Sequence, residues 1–299
     1  MLIYLKDFPG LLKTTFKEWN KRDPFRQSAV IAYYAIFSMP GLLVLIVTIM
    51  GYFFSRDVVS QNIIHQIAST FGAEVAKQTE LMLLNAGKTK ETILGSIIGV
   101  ATLLVGATGV FVALQKTLNE IWEVEITNKK GILPMLKNRL FSFGLILAIA
   151  FLLLISLVVS TALSAVGEWI QSDMSEIFIA FFNIINFTVS LIIISFLFAL
   201  IFRILPDVHI TWKQVWLGAI LTGILFTIGK TAIGFYFGKA TPESAYGAGG
   251  SIVLLLLWVS YSSMILFFGA EFTHTFTKKY FPVKTDQLSK EEKEEVLKV

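Results

Sequence analysis

The feature that most constrains this chain is the spacing of its charges. Six long stretches carry none, or almost none: Gln27 to Ser55, Thr92 to Gln115, Leu140 to Gly167, Ile177 to Phe202, Gln214 to Gly238, broken only by Lys230, and Ser244 to Ala270. Each holds at least 24 residues, and about 20 apolar residues wound at ~1.5 Å per residue cross the ~30 Å hydrocarbon layer of a bilayer. With 55% apolar and 15% charged residues, against roughly a quarter charged in a soluble chain, a water-soluble fold is excluded. A membrane barrel would need strands of about ten residues that alternate polar with apolar. The run Ile252 to Trp258 (IVLLLLW) does not alternate. The predicted fold is an all-α, polytopic membrane protein with six transmembrane helices in one domain, residues 1–280, and a charged tail, residues 281–299.

Basic loops are retained in the cytoplasm, so the lysines and arginines orient the bundle. With six spans both termini share a side. That side holds nineteen Lys and Arg, including Lys116, Lys129, Lys130, Lys137 and Arg139 between spans 2 and 3, and the other side holds five; Lys230 within span 5 completes the 25. Both ends are therefore expected in the cytoplasm of a bacterial cell, with the protein in the cytoplasmic membrane. The pI of about 9.1 then reflects topology and attraction to anionic lipid head groups, not nucleic-acid binding. The first 20 residues lack a continuous apolar core and a small-residue cleavage site, so the first span is expected to direct insertion itself. The chain has no cysteine, which excludes disulfides, thiolate catalysis and Cys-ligated zinc.

Outside the spans, Leu11 to Arg22 (LLKTTFKEWNKR) sets Leu12, Phe16 and Trp19 on one helical face and Lys13, Lys17 and Lys21 on another. This predicts an amphipathic helix in the membrane interface, its lysines toward the head groups. Asp23-Pro24 then supplies a cap and a first-turn proline for span 1. In the external segment 56–91, Ile63, Ile67 and Phe71 recur at helical spacing, as expected of amphipathic helices against the outer ends of the bundle. They would cap the bundle or form a lid over a cavity.

Polar and bent elements inside a span carry the most functional weight, since a charge near mid-bilayer costs ~2.5 kcal/mol or more. Lys230, 16 residues into span 5, either snorkels to the head groups, lines a wet cavity or pairs with another span. Glu271 follows span 6 and is expected at the cytoplasmic end, meeting Arg203, Lys116 or a neighbouring helix end rather than Lys230. In span 1 (AYYAIFSMPGLL), Pro40 should kink or interrupt the helix, with Tyr33, Tyr34 and Ser38 just before it. Ser38 is placed to satisfy a backbone group the break sets free. Gly95 with Gly99, and Gly234 with Gly238, form GxxxG pairs that mark close helix packing.

Catalytic constellations are absent. His65, His209 and His274 stand isolated in sequence, and no HExxH, HxHxDH, GxxxxGK[ST] or GxSxG motif occurs. No cofactor or metal is implied, and the ligands a metal-dependent nuclease needs are missing.

The stretches AYYAIFSMPGLL, VALQKTLNEIW, RILPDVHITWKQVWLGAILTGILFTIGK and YGAGGSIVLLLLWVSYSSMILFFGAEF resemble the YihY/BrkB family of bacterial membrane proteins over nearly the whole chain. The resemblance implies six spans, and its pattern falls on Tyr33, Ser38, Pro40, Asn119, Trp122, Pro206, Lys230, Trp258, Tyr261 and Glu271. Some members were long labelled ribonuclease BN, a label that the residue inventory here argues against. The expected role is transport or export of an envelope component, an amphipathic or anionic solute or a lipid. The alternative is a non-transporting scaffold that organises the envelope.

Overall fold

The computed structural model describes residues 7–50, 55–71, 76–77, 79–81, 83–84, 93–124, 176–239 and 250–281. Apart from turns these residues are helical, with no strand among them. In chain order the helices are α1 (Phe8–Lys21), α2 (Pro24–Met50), α3 (Arg56–Phe71), α4 (Ile93–Ile121), α5 (Glu176–Ile204), α6 (Trp212–Lys239) and α7 (Gly250–Tyr280). The expected span over 140–167 and the tail beyond Phe281 lie outside the described residues.

Among the described residues, three segments are long and apolar enough to cross a membrane: Phe187–Ile204, Trp212–Ile233 and Ile252–Tyr280. Their outward surface is apolar. On α6, Trp216, Ile220, Ile224 and Ile228 recur every four residues and are all exposed, which puts them on one helical stripe. In water such a stripe would be an aggregation liability; against lipid it is the solvated face.

α2 packs along α4, α5 along α6, and α7 lies against both α2 and α6. The main core forms where α2, α4, α5, α6 and α7 converge, around Ile31, Leu118, Phe198, Phe202, Val215 and Phe267. α1 docks on the far end of α7 through Leu11, Phe272 and Phe276. At the opposite end, Met39 of α2 and Ile67 of α3 pack on Leu254 and Leu255 near the start of α7. α3 thus lies against the bundle, as its periodicity predicts, with Val59 buried as well.

Several boundaries differ from the sequence reading for one reason. A charge-free run ends at the first charge, but a helix does not. α4 continues past Gln115 to Ile121, and α7 continues past Ala270 to Tyr280, because those last turns lie where polar partners are supplied. α2 runs unbroken through Pro40, so the expected interruption does not occur. A proline at 40 would free the carbonyl of Ile36, but Ser38 Oγ donates instead to the carbonyl of Ala35 at 2.9 Å.

The α1 face is corrected in part. Leu11 and Thr15 are buried, Leu12 packs against the α7 cluster and Trp19 joins the main core, so the docked face holds 11, 12, 15 and 19. Phe16 is exposed. Residues three and four apart share a helical face, which sets 11, 12, 15 and 19 together and leaves 16 beyond its edge, and α7 offers Phe272 and Phe276 to meet that face.

Candidate functional site

The most heavily built polar site lies where α1 turns into α2. Arg22 and Asp23 make the turn, and Asp23 adopts φ 52, a left-handed conformation that a short polar side chain tolerates. Pro24 then opens α2, since its fixed φ suits a first helical position. The Asp23 carboxylate accepts from Arg26 Nε at 3.1 Å.

The turn projects Arg22 into the junction of three helices. Its Nε donates to Glu271 Oε2 on α7 at 2.8 Å. Its two terminal nitrogens donate to the carbonyls of Glu120 and Ile121 at the end of α4. Neither carbonyl has an amide four residues on to accept from, because α4 stops there. α4 ends in a Schellman turn, with Glu123 at φ 54, Val124 N–H donating to Asn119 O and Glu123 N–H to Glu120 O. One guanidinium therefore caps α4 and neutralises a carboxylate on α7. Glu271 is 1% exposed, and a carboxylate so buried is tolerable only with such a partner.

Around this pair, His274 Nδ1 lies 3.7 Å from Glu271 Oε1, and the His274 ring meets Trp122 edge-on at 5.2 Å. Glu123 lies 3.6 Å from Arg22 and 3.3 Å from Lys278 Nζ. Gln27 Nε2 donates to Glu120 Oε2 at 2.9 Å. A second clamp fastens α4 to the turn between α5 and α6. Asn119 accepts from the Asp207 amide and donates to its carboxylate, both at 2.8 Å, and Gln115 reaches the same carboxylate. Pro206 is buried in that turn.

Just inside this layer α6 and α7 cross at backbone contact distance. A Cβ placed on Gly218 would lie 1.9 Å from Thr273 Oγ1, and one placed on Gly269 would lie 1.7 Å from Thr222 Oγ1. The two segments read GAILT (218–222) and GAEFT (269–273), so glycine meets threonine reciprocally across an antiparallel pair. Each threonine hydroxyl donates to its own glycine's carbonyl at 2.6 and 2.7 Å. The close crossing fixes α7 immediately beside Glu271.

A cleft of ≈ 460 Å³ opens onto this region, lined among others by Thr14, Glu18, Arg22, Glu123, His274 and Lys278. At its rim, Asp7 accepts from Lys279 Nζ at 3.0 Å, and the hydrogen bond and charge of Lys279 hold the Asp7 carboxyl below its ordinary value. Lys21 does the same for Glu18. Among the described residues no three His, Asp or Glu side chains are grouped to hold a metal ion.

The structure brings Asn119, Trp122 and Glu271 of the sequence candidates to this end, with Pro206 beside Asn119's partner. Glu271 meets a neighbouring helix end, as expected, and that end is Arg22. Arg203 instead stacks over Trp212 at 4.4 Å, and Lys116 is exposed. The other candidates are elsewhere. Tyr33 is exposed on α2 beside Phe37, and Ser38 packs against Gly106 of α4. Tyr261 packs against Gly229, Trp258 meets Phe226 edge-on at 5.9 Å, and Lys230 is exposed on α6. The side chain of Pro40 and the packing of Gly95, Gly99, Gly234 and Gly238 lie outside the description. Sequence reasoning missed Arg22, Asp207, Glu120, Glu123 and His274 as partners. The one local signal was the charge cluster NKRDP at a helix junction, where a cation has helix ends to cap.

Apolar helices with lipid-suited outer faces, closed at one end by a buried ion pair, define an integral membrane protein of the all-helical class. The virulence factor BrkB family matches residues 15–294, and the chain belongs to that family. It is 27% identical over 88% of its length to a UPF0761 membrane protein of Saccharophagus degradans, covering 59% of that relative. It is 25% identical over 86% of its length to a UPF0761 membrane protein of Tolumonas auensis, covering 82%. A relative named as a ribonuclease-like protein, YfkH of Bacillus subtilis, is 25% identical over 88% of this chain and 93% of its own. No solved structure matches.

Proposed function

We propose that the protein is a six-span helical protein of the bacterial cytoplasmic membrane, both termini inside, that moves an amphipathic or anionic solute or lipid across that membrane. The observation that carries this reading is the cleft at the α1 end, where the buried Glu271 carboxylate is held by the partly exposed Arg22 at the end of a bundle of apolar helices. A structural plug would be cheaper as packed apolar residues, because burying the Glu271 carboxylate costs several kcal/mol before it pairs. A cation held in place at the mouth of a cleft can instead receive an anionic group. Lys230, the intramembrane cation, would attract the same anionic group further along. On this reading the exposed Lys13, Phe16 and Lys17 of α1 meet anionic head groups and the interface.

The exposure of Lys230 favours a second reading, the scaffold, in which that lysine only snorkels to the interface. The name of the Bacillus relative, at 25% identity, does not bring nuclease chemistry to this chain. The test is movement of a fluorescent-labelled phosphatidylglycerol between leaflets of vesicles holding the purified protein. Transport predicts movement well above that in empty vesicles, lost in Lys230→Met while the helical content is kept. Movement no faster than in empty vesicles leaves the scaffold.

A further inference from the structure

Arg22 faces two carboxylates that are held very differently. Glu271 is 1% exposed and hydrogen-bonded at 2.8 Å. Glu123 is 55% exposed, stands 3.6 Å from Arg22, beyond hydrogen-bonding distance, and sits on a left-handed residue past the end of α4. It also reaches Lys278 Nζ at 3.3 Å. An exposed pair of this kind contributes little to stability, so Glu123 is replaceable where Glu271 is not.

The guanidinium itself is fixed. Of its five N–H groups, three are committed to Glu271, Glu120 O and Ile121 O, which leaves the fork oriented with two donors to spare. Lys278 is 68% exposed and has the Glu123 carboxylate as its hydrogen-bond acceptor. Both cations line the same cleft, whose ≈ 460 Å³ would admit a small anionic group beside them.

From this geometry we infer that Arg22 and Lys278 form a binding site for a carboxylate or phosphate group, which Glu123 occupies as an internal stand-in until a ligand displaces it. This rests on the transport reading above, for which it names the substrate chemistry: one anionic head group entering from the α1 end. Displacement exchanges one carboxylate for another anion at the same two cations. The buried Glu271–Arg22 pair and the cap on α4 stay in place, so loading does not strand a charge.

The test is the thermal unfolding midpoint of the full chain in detergent, titrated with inorganic phosphate and, separately, with a short-chain phosphatidylglycerol. Glu123→Gln removes the competitor and should raise the apparent affinity for at least one probe about tenfold. Glu123→Gly, which suits the left-handed backbone, should give the same gain. Adding Lys278→Gln should abolish it. A gain with both probes assigns the site to the free anion, and a gain with the lipid alone assigns it to a head group. Unchanged or weaker binding in both Glu123 variants overturns the site. Lipid movement measured on the same variants separates the two ideas: binding without movement removes transport and keeps the site, and movement without binding does the reverse.

Discussion

At the end that carries α1, four chain segments meet through side chains of fixed geometry: Arg22 to Glu271 and to the end of α4, and Asn119 to Asp207. At the end that carries α3, Ile67, Met39, Leu254 and Leu255 meet through apolar contact. Apolar contact is non-directional and tolerates small shifts. A hydrogen-bonded ion pair in a low-dielectric setting specifies one arrangement and penalises the rest. The α1 end therefore sets the register of the bundle, and the α3 end follows it.

The largest expected effect removes the cation. Arg22→Met should strand the buried Glu271 and cost about 3–5 kcal/mol, read as a fall in the unfolding midpoint, with Glu271→Gln in the same chain restoring part of it. Ile67→Ala at the other end, where the side chain is only partly buried, should cost at most about 2 kcal/mol. Equal losses would break the comparison.

A smaller effect tests the crossing that positions Glu271. Gly269→Ala drives a methyl into Thr222 Oγ1, and overpacking of this kind costs about 1–3 kcal/mol. Thr222→Ala, which deletes that hydroxyl, should recover much of the loss. If Gly269→Ala leaves the midpoint unchanged, α6 and α7 do not meet as closely as the reciprocal glycine and threonine contacts require.

The helical class and the long apolar segments were legible because hydrocarbon length and missing charge are one-dimensional quantities. The charge spacing marked the helices that became α5, α6 and α7, and the periodicity of Ile63 and Ile67 marked α3. Glu271 stood out as a carboxylate at the end of an apolar run. Its partner did not, because Arg22 lies 249 residues away and pairing over that separation depends on which helix ends meet. The GAILT and GAEFT repeats were on the page as sequence, but their meaning is reciprocal and needs both helices placed. Asn119 stood out through the family resemblance, whereas Asp207 became its partner only once the α5–α6 turn folded under α4.

The smallest effect lies at the rim, where Asp7 ties the start of α1 to Lys279. Because Lys279 holds the Asp7 carboxyl below its ordinary value of 3.8, the tie contributes above the unfolded carboxyl's pKa and is lost as pH falls through the lower folded one. Both groups are about half exposed, so salt should weaken the tie as well. Hydrogen exchange at the Leu11 amide, which donates to the Asp7 carbonyl at 2.9 Å, should quicken on acidification relative to the intrinsic rate. Asp7→Asn should remove that pH dependence while Arg22 and Glu271 still hold the other end of α1. Equal loosening along the whole of α1 would mean that the rim, not the buried pair, secures this helix, and would reverse the ranking of contacts within the α1 end.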